Sequence, residues 1–239
     1  MSRLILVRHA QASFFSKNYD KLSDLGEKQA QLLGEFWLRR GVMLDDVITG
    51  PRERHQRTAE LVGEVYRKAG APWPKIEFVG NFDEHTVDQL LGEPLEKLQQ
   101  EHPQLEKLVK DYKTAKAPEQ VQRTFQRLFE AVSHLWCELK PGTESIEGWA
   151  SFHQRVGEGL EEIFARPGQS RTIALFTSVG NITSILCRVL KCSPTQALEL
   201  GWRLKNCSLT EFIFSGDRIT LDHFNGVPHL TDPGSWTFR

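Results

Sequence analysis

The sequence predicts an α/β fold. It is a three-layer α/β/α sandwich on a mainly parallel sheet, one domain over residues 1–239, with a helical insertion at about 93–140. Three observations carry this. Strand-type apolar runs alternate with amphipathic helical stretches, the pattern of a parallel sheet whose right-handed crossovers place helices on both faces. The first run, Leu4-Ile5-Leu6-Val7, is apolar without interruption, as a strand buried on both faces must be. Between about 93 and 140 strand signals stop, and two charged amphipathic stretches, "LEKLQQEHPQLEKLVKDYKTA" and "EQVQRTFQRLFEAVSHLW", read as helices broken near Pro103 and Pro118. They are expected to stand over the carboxyl edge of the sheet.

In order, the first strand runs into Arg8 and His9, then into a loop containing Phe14, Phe15, Lys17 and Tyr19. Asp24 with Glu27 reads as a capping box. Leu25, Leu32, Leu33, Phe36 and Trp37 give the helix that follows an apolar stripe, and Gly41 ends it. A short strand is expected over Asp46 to Thr49, broken by Gly50-Pro51. The next helix packs through Leu61, Val62 and Val65 and stops near Gly70. "KIEFVG" and "RTIALFTS" are the third and fourth strands. "SLTEFIF" and "RITLDHF" around "SGD" form a hairpin closing one edge of the sheet.

Hydrophobic residues make up 39% and charged residues 26%, which places the chain among ordinary globular proteins. The formal net charge of −1 predicts neither nucleic-acid binding nor a membrane-surface patch, so Arg-rich places are read locally. Only four apolar residues follow Met1-Ser2-Arg3, too few for a signal-peptide core, and no run approaches the ~20 residues of a membrane span. Cys137, Cys187, Cys192 and Cys207 show no CxxC pair, and the histidines show no HxxxH or HExxH spacing. A reduced, cytoplasmic protein with no metal and no cofactor is the expectation.

Parallel strands bring their carboxyl ends to one edge, where ligands bind in such folds. Arg8 and His9 leave the first strand there. "GPRERHQRTAE" follows the second strand with Arg52, Arg54 and Arg57, "NFDEH" the third with Asp83, Glu84 and His85, and "TSVGN" the fourth with Thr177, Ser178 and Asn181. Guanidinium forks, an imidazole, a carboxyl group and helix N-termini suit a phosphate. Arginine pairs with two phosphoryl oxygens, helix starts add N–H donors, neutral imidazole can attack phosphorus, and a carboxylic acid can protonate the leaving oxygen.

These segments resemble the histidine phosphatase superfamily, in its phosphoglycerate mutase-like branch. "LVRHAQ" is similar to the family's strand-ending Arg-His motif, "LSDLGEKQAQLLG" to its first helix, "GPRERHQRTAE" to its second arginine motif, and "NFDEH" to its acid loop. "GTESIEGWASFHQRV" and "FNGVPHL" match weaker segments, so the resemblance spans nearly the whole chain. It implies His9 as nucleophile, Glu84 as proton donor, and Arg8 and Arg54 as the holders of the phosphoryl group. Ser178, Gly180 and Asn181 would add donors at the start of the helix after the fourth strand.

One element departs. Where the family usually has Ser-His-Gly, this chain has Ser178-Val179-Gly180, and valine can neither donate nor carry charge. Losing one preorganised donor typically costs about 2.7–4 kcal/mol, or ~10²–10³ in rate. Ser178, Asn181 and the following N–H groups rank first as substitutes, and His85 ranks second as an accessory group. His55 is set aside, because helical geometry turns it about 100° from Arg54. The resemblance therefore implies a phosphatase acting on a small phosphomonoester through a phosphohistidine. A catalytically impaired phosphate-binding or interaction protein is the alternative, and a phosphoglycerate mutase is a third reading. The sequence names no protein partner.

Overall fold

The computed structural model describes residues 1–13, 20–92, 94–138, 146–216 and 218–238. The loop residues Phe14, Phe15, Lys17 and Tyr19, the hairpin residue Asp217 and the segment 142–145 lie outside the described residues. The elements run β1 (Ser2–Arg8), α1 (Asp24–Arg39), β2 (Asp46–Thr49), α2 (Glu53–Lys68), β3 (Ile76–Phe78), α3 (Pro94–Glu101), α4 (Leu105–Thr114) and α5 (Pro118–Glu138). They continue with α6 (Trp149–Phe164), β4 (Thr172–Thr177), α7 (Val179–Leu190), α8 (Pro194–Gly201), β5 (Leu209–Ser215) and β6 (Arg218–Gly226). The chain forms two compact units, Met1–Glu84 with Arg155–Arg239, and His85–Gln154. The segment expected as an insertion, about 93–140, lies inside the second.

The first unit holds one six-stranded sheet in the order β3-β2-β4-β1-β5-β6. The four strands from β3 to β1 are parallel, and β5 and β6 add an antiparallel hairpin at the edge. The mainly parallel sheet with a closing hairpin is thus as expected. β1 sits between β4 and β5 with Leu4, Leu6 and Val7 wholly buried, which explains its unbroken apolar run. Ile5 and Val7 join Val47, Ala174, Phe176 and the inner faces of α1 and α2 (Leu33, Trp37, Val62, Tyr66) in one core. Their neighbours Leu4, Leu6, Ile48 and Leu175, which point the other way, are equally buried. Helices flank the sheet, and each fully buried Leu or Phe contributes about 1.5–3 kcal/mol of apolar burial.

Two boundaries differ from the sequence reading. Ser23, not Asp24, caps α1: its Oγ accepts from the Gly26 N–H at 3.0 Å. Asp24 falls inside the first turn, where a carboxylate still complements the helix dipole. The third strand is only Ile76–Phe78, because after Val79 the chain tightens into a 3-10 turn over Gly80–Phe82. The helix end at Gly41 is as expected. Its φ of +64° is the left-handed conformation that glycine adopts without a Cβ penalty.

In the second unit α3, α4 and α5 bury Leu98, Leu105, Val109, Leu128, Val132 and Trp136. The Trp136 ring lies 5.3 Å from Trp149 and 5.7 Å from Phe152. Pro103 falls between α3 and α4, while Pro118 opens α5, where its missing N–H costs nothing. No helix among the described residues is long and apolar enough to cross a membrane.

The core also contains a titratable strain. His229 is 5% exposed, its ring 6.4 Å from Phe36, and neither ring nitrogen has a hydrogen-bond partner among the described residues. Burial lowers it from 6.5 to about 4. The folded state therefore binds this proton less readily than the unfolded chain, so stability is complete above pH ~6.5 and is lost as pH falls toward 4. The gap corresponds to about 3 kcal/mol lost by pH 4. Chemical denaturation at pH 7, 6, 5 and 4 should show that decline in the wild type. In His229→Phe the decline should be smaller by about that amount; parallel curves would show that His229 does not titrate.

Candidate active site

The site is assembled at the carboxyl ends of β1, β2 and β4. Arg8 lies beside Thr177, and Thr49 beside Phe176, in the parallel register. Strand order reverses between β1 and β4, since the chain first builds β2 and β3 to one side and later β5 and β6 to the other.

His9 is fixed at this point by its backbone. Its N–H donates to Thr177 O at 2.8 Å, and its carbonyl accepts from Cys207 N and Asn206 Nδ2, both at 3.2 Å. The imidazole Nδ1 is 2.8 Å from Ala10 O. A carbonyl only accepts, so Nδ1 carries the proton and Nε2 keeps the lone pair. Burial, then the charges of Arg54 and Arg8 and the neighbouring His55, hold His9 well below the usual imidazole range. The ring is neutral at pH 7, the form a nucleophile requires.

Around it stand the arginines. Arg54, 7% exposed, opens α2 and donates through Nη1 to Asp20 Oδ1 at 2.6 Å, while Nη2 lies 3.5 Å from Ser178 Oγ. Asp20 Oδ2 also accepts from the Glu53 N–H at 2.8 Å, capping α2 where Arg52 supplies no side-chain cap. Arg8 donates to Leu204 O and, at 2.9 Å, to Phe238 O. Arg57 does not share the site: it pairs with Glu27 of α1 and with Glu64 across the α2 surface. Arg52 reaches instead to the acid loop, donating to Asp83 Oδ1 at 2.5 Å.

Glu84 follows Asp83 in a segment tied down from several sides. Asn181 Nδ2 donates to Phe82 O at 3.1 Å and Asp83 O at 3.2 Å, and Arg155 donates to Asn81 O at 2.8 Å. The Glu84 N–H donates to Asp83 Oδ1 at 2.7 Å. His85 belongs to the second unit, where its ring packs 4.9 Å from Trp136 and 5.6 Å from Phe152.

At the start of α7 the N–H groups of Val179, Gly180 and Asn181 precede the first intrahelical bond, which is Ile182 N–H to Ser178 O at 3.2 Å. Ser178 is the N-cap residue, yet its hydroxyl makes no capping bond. It turns to His55, whose Nε2 is 2.5 Å from Ser178 Oγ and whose ring lies 5.8 Å from His9. The sequence reading set His55 aside, and the structure places it in the site. The 100° turn separates Cβ directions at one radius, but α2 begins directly at the strand ends, so residues on different sides of its first turn both reach Ser178.

The sequence reading also missed the supports behind His9. Thr58 Oγ1 accepts from Ala10 N at 3.1 Å, and Gln29 Oε1 from Gln11 N at 2.9 Å. Gln29 Nε2 donates to Ser235 O at 2.8 Å, so the C-terminal segment is bound to the same loop. A polar side chain inside the α1 stripe, where Gln29 is wholly buried, was the available signal.

A sequence profile of the histidine phosphatase superfamily (branch 1) matches residues 4–144 and 111–226. No curated protein sequence matches the chain. Among solved structures, a phosphoserine phosphatase from Entamoeba histolytica in complex with phosphoserine is 18% identical, with TM-score 0.64 over 96% of this chain and 100% of that one. A phosphoglycerate mutase from Bacillus anthracis is 16% identical, with TM-score 0.64 over 96% and 95%. A mycobacterial glucosyl-3-phosphoglycerate phosphatase in complex with inorganic phosphate is 20% identical, with TM-score 0.61 over 95% and 98%. At such identities the structures establish the shared fold, and the profile, which spans most of the sequence, establishes kinship: this chain belongs to the histidine phosphatase superfamily.

Proposed function

We propose that the protein hydrolyses a phosphate monoester through a phosphohistidine on His9. The observation that carries this reading is the His9 imidazole itself, neutral, with Nδ1 donating to Ala10 O and Nε2 left with its lone pair in the field of Arg54 and Arg8. In the first step Nε2 attacks phosphorus and the ester P–O bond breaks. The departing oxygen takes its electron pair and a proton from Glu84. The Nδ1–H···O=C bond disperses the positive charge that the ring acquires. Water then attacks phosphorus, giving its proton to the Glu84 carboxylate, and the N–P bond breaks to return neutral His9 and inorganic phosphate.

Arg54 and Arg8 hold the phosphoryl oxygens, and the Gly180 and Asn181 N–H groups add donors where the helix dipole is positive. The amide hydrogens of Asn181 are already given to Phe82 O and Asp83 O, so its side chain serves the acid loop. Small phosphorylated acids are the first substrates to try, as phosphoserine and inorganic phosphate occupy two similarly folded proteins. Val179, where the family resemblance expects a second histidine, favours a second reading, a phosphate-binding protein without turnover.

The two are separated by a denaturing quench after mixing with ³²P-labelled phosphomonoesters, phosphoserine and 3-phosphoglycerate among them. Acid-labile, alkali-stable label mapped to His9 is the expected result. Phosphate-dependent thermal stabilisation without label or turnover on any substrate would favour the second reading.

A further inference from the structure

The Ser178 hydroxyl is the N-cap group that does not cap. An N-cap serine normally accepts from an N–H in the first turn of its helix; here Oγ faces His55 Nε2 at 2.5 Å and Arg54 Nη2 at 3.5 Å. His55 is wholly buried, and its Nδ1 has no hydrogen-bond partner among the described residues. The ring occupies space left open by Gly50. A Cβ at that position would stand 2.5 Å from Nδ1 and clash with the Phe82 carbonyl oxygen.

The tautomer follows from this packing. Nothing among the described residues accepts from Nδ1, and an orphaned buried N–H is tolerated less than an unfilled lone pair, so the neutral ring carries its proton on Nε2. Nε2–H then donates into Ser178 Oγ. Arg54 is a second donor to the same oxygen, and a hydroxyl oxygen has two lone pairs. With both approached, the serine's own hydrogen is left to donate outward. Its surroundings are those of His9, because the His9 N–H is bonded to Thr177 O, one residue before Ser178.

We propose that His55 is a positioning residue that turns the Ser178 hydroxyl into a hydrogen-bond donor to the phosphoryl group transferred to His9. The proposal rests on the phosphatase reading of the site. Burial, then the charges of Arg54 and Arg52, hold His55 neutral and far from protonation at pH 7, so it adds no competing positive charge beside the nucleophile. Next to Ser178, Val179 supplies only its backbone N–H, so of these two residues only Ser178 brings a side-chain donor.

The test is single-turnover phosphorylation of His9 in a set of variants whose folding is checked by thermal melts. His55→Leu keeps the volume and removes the donor; His55→Gln keeps an N–H near the Nε2 position. His55→Leu and Ser178→Ala should each slow phosphorylation by ~10²-fold, the usual effect of one lost transition-state donor. His55→Gln should stay within about tenfold of wild type, a recovery that space-filling alone would not give. In the Ser178→Ala background His55→Leu should cost less than about threefold more, since the two residues act as one unit.

An unchanged rate in folded His55→Leu overturns the proposal, and so does a full ~10²-fold penalty in the Ser178→Ala background. If the wild type forms no phosphoenzyme at all, it is the phosphatase reading that fails. Titration with inorganic phosphate then still decides the pair: weaker binding in both Ser178→Ala and His55→Leu sustains it, and unchanged binding removes it.

Discussion

His9→Ala is expected to lower phosphomonoester hydrolysis by on the order of 10⁴–10⁶-fold, the scale on which loss of a covalent nucleophile is felt. The effect should fall on kcat, with substrate binding preserved or tightened, because Arg8, Arg54 and the α7 N–H groups remain. The fold should survive. The substitution deletes one hydrogen bond to Ala10 O, worth about 1 kcal/mol, and leaves the backbone bonds to Thr177, Asn206 and Cys207 intact. Steady-state assays and thermal melts on the same preparations are the measurement. A His9→Ala protein that melts near the wild type and hydrolyses substrate within tenfold of it would remove His9 from the chemistry.

Arg54→Gln should give the second largest loss, roughly 10²–10³-fold in kcat/KM, from removal of a buried charge beside the transferring phosphoryl group. It has a second signature. After burial, Arg54 is the largest influence holding His9 below its ordinary value. Removing that charge makes the imidazolium less costly, so the His9 value rises toward 6.5. A nucleophile is lost when protonated, and the acid limb of kcat/KM should therefore move to higher pH in the variant. Asp20 loses its ion pair but keeps its bond from the Glu53 N–H, and being partly exposed it can be solvated. A rate loss with the acid limb in place would mean that Arg54 binds phosphate without tuning His9.

Much of this was legible in the chain. The unbroken apolar run ahead of Arg8-His9 announced a strand buried on both faces, and the structure encloses β1 between β4 and β5. The amphipathic periods of α1 and α2, and the glycine that ends α1, read correctly because each depends on residues within two turns of one another. The capping of α1 slipped by one position, since Ser23 and Asp24 are both good caps and only geometry chooses between them. Arg57 stood with Arg52 and Arg54 among the guanidinium groups that follow the second strand. In the fold it pairs with Glu27 of α1 and Glu64, nearly one turn further along α2 from the strand ends.

The sequence by itself determined the layers and the strand ends as the place for polar chemistry, and its resemblance to a family singled out Arg8, His9, Arg54 and Glu84 there. Local periodicity suffices for the layers, since hydrophobic spacing records which face of an element is buried. Only the tertiary structure decided which polar groups meet. His55 lies against Ser178, 123 residues on, and Arg8 against Phe238, 230 residues on. The first depends on β4 entering beside β2 and on α2 starting at that edge, the second on β5 pairing with β1 and on the C-terminal segment being bonded to the chain just before β5. Strand order is a global packing solution, set by how covered faces and right-handed crossovers fit together. No window of residues contains it, so the histidine that a one-residue step along the helix seemed to point away became a neighbour of His9.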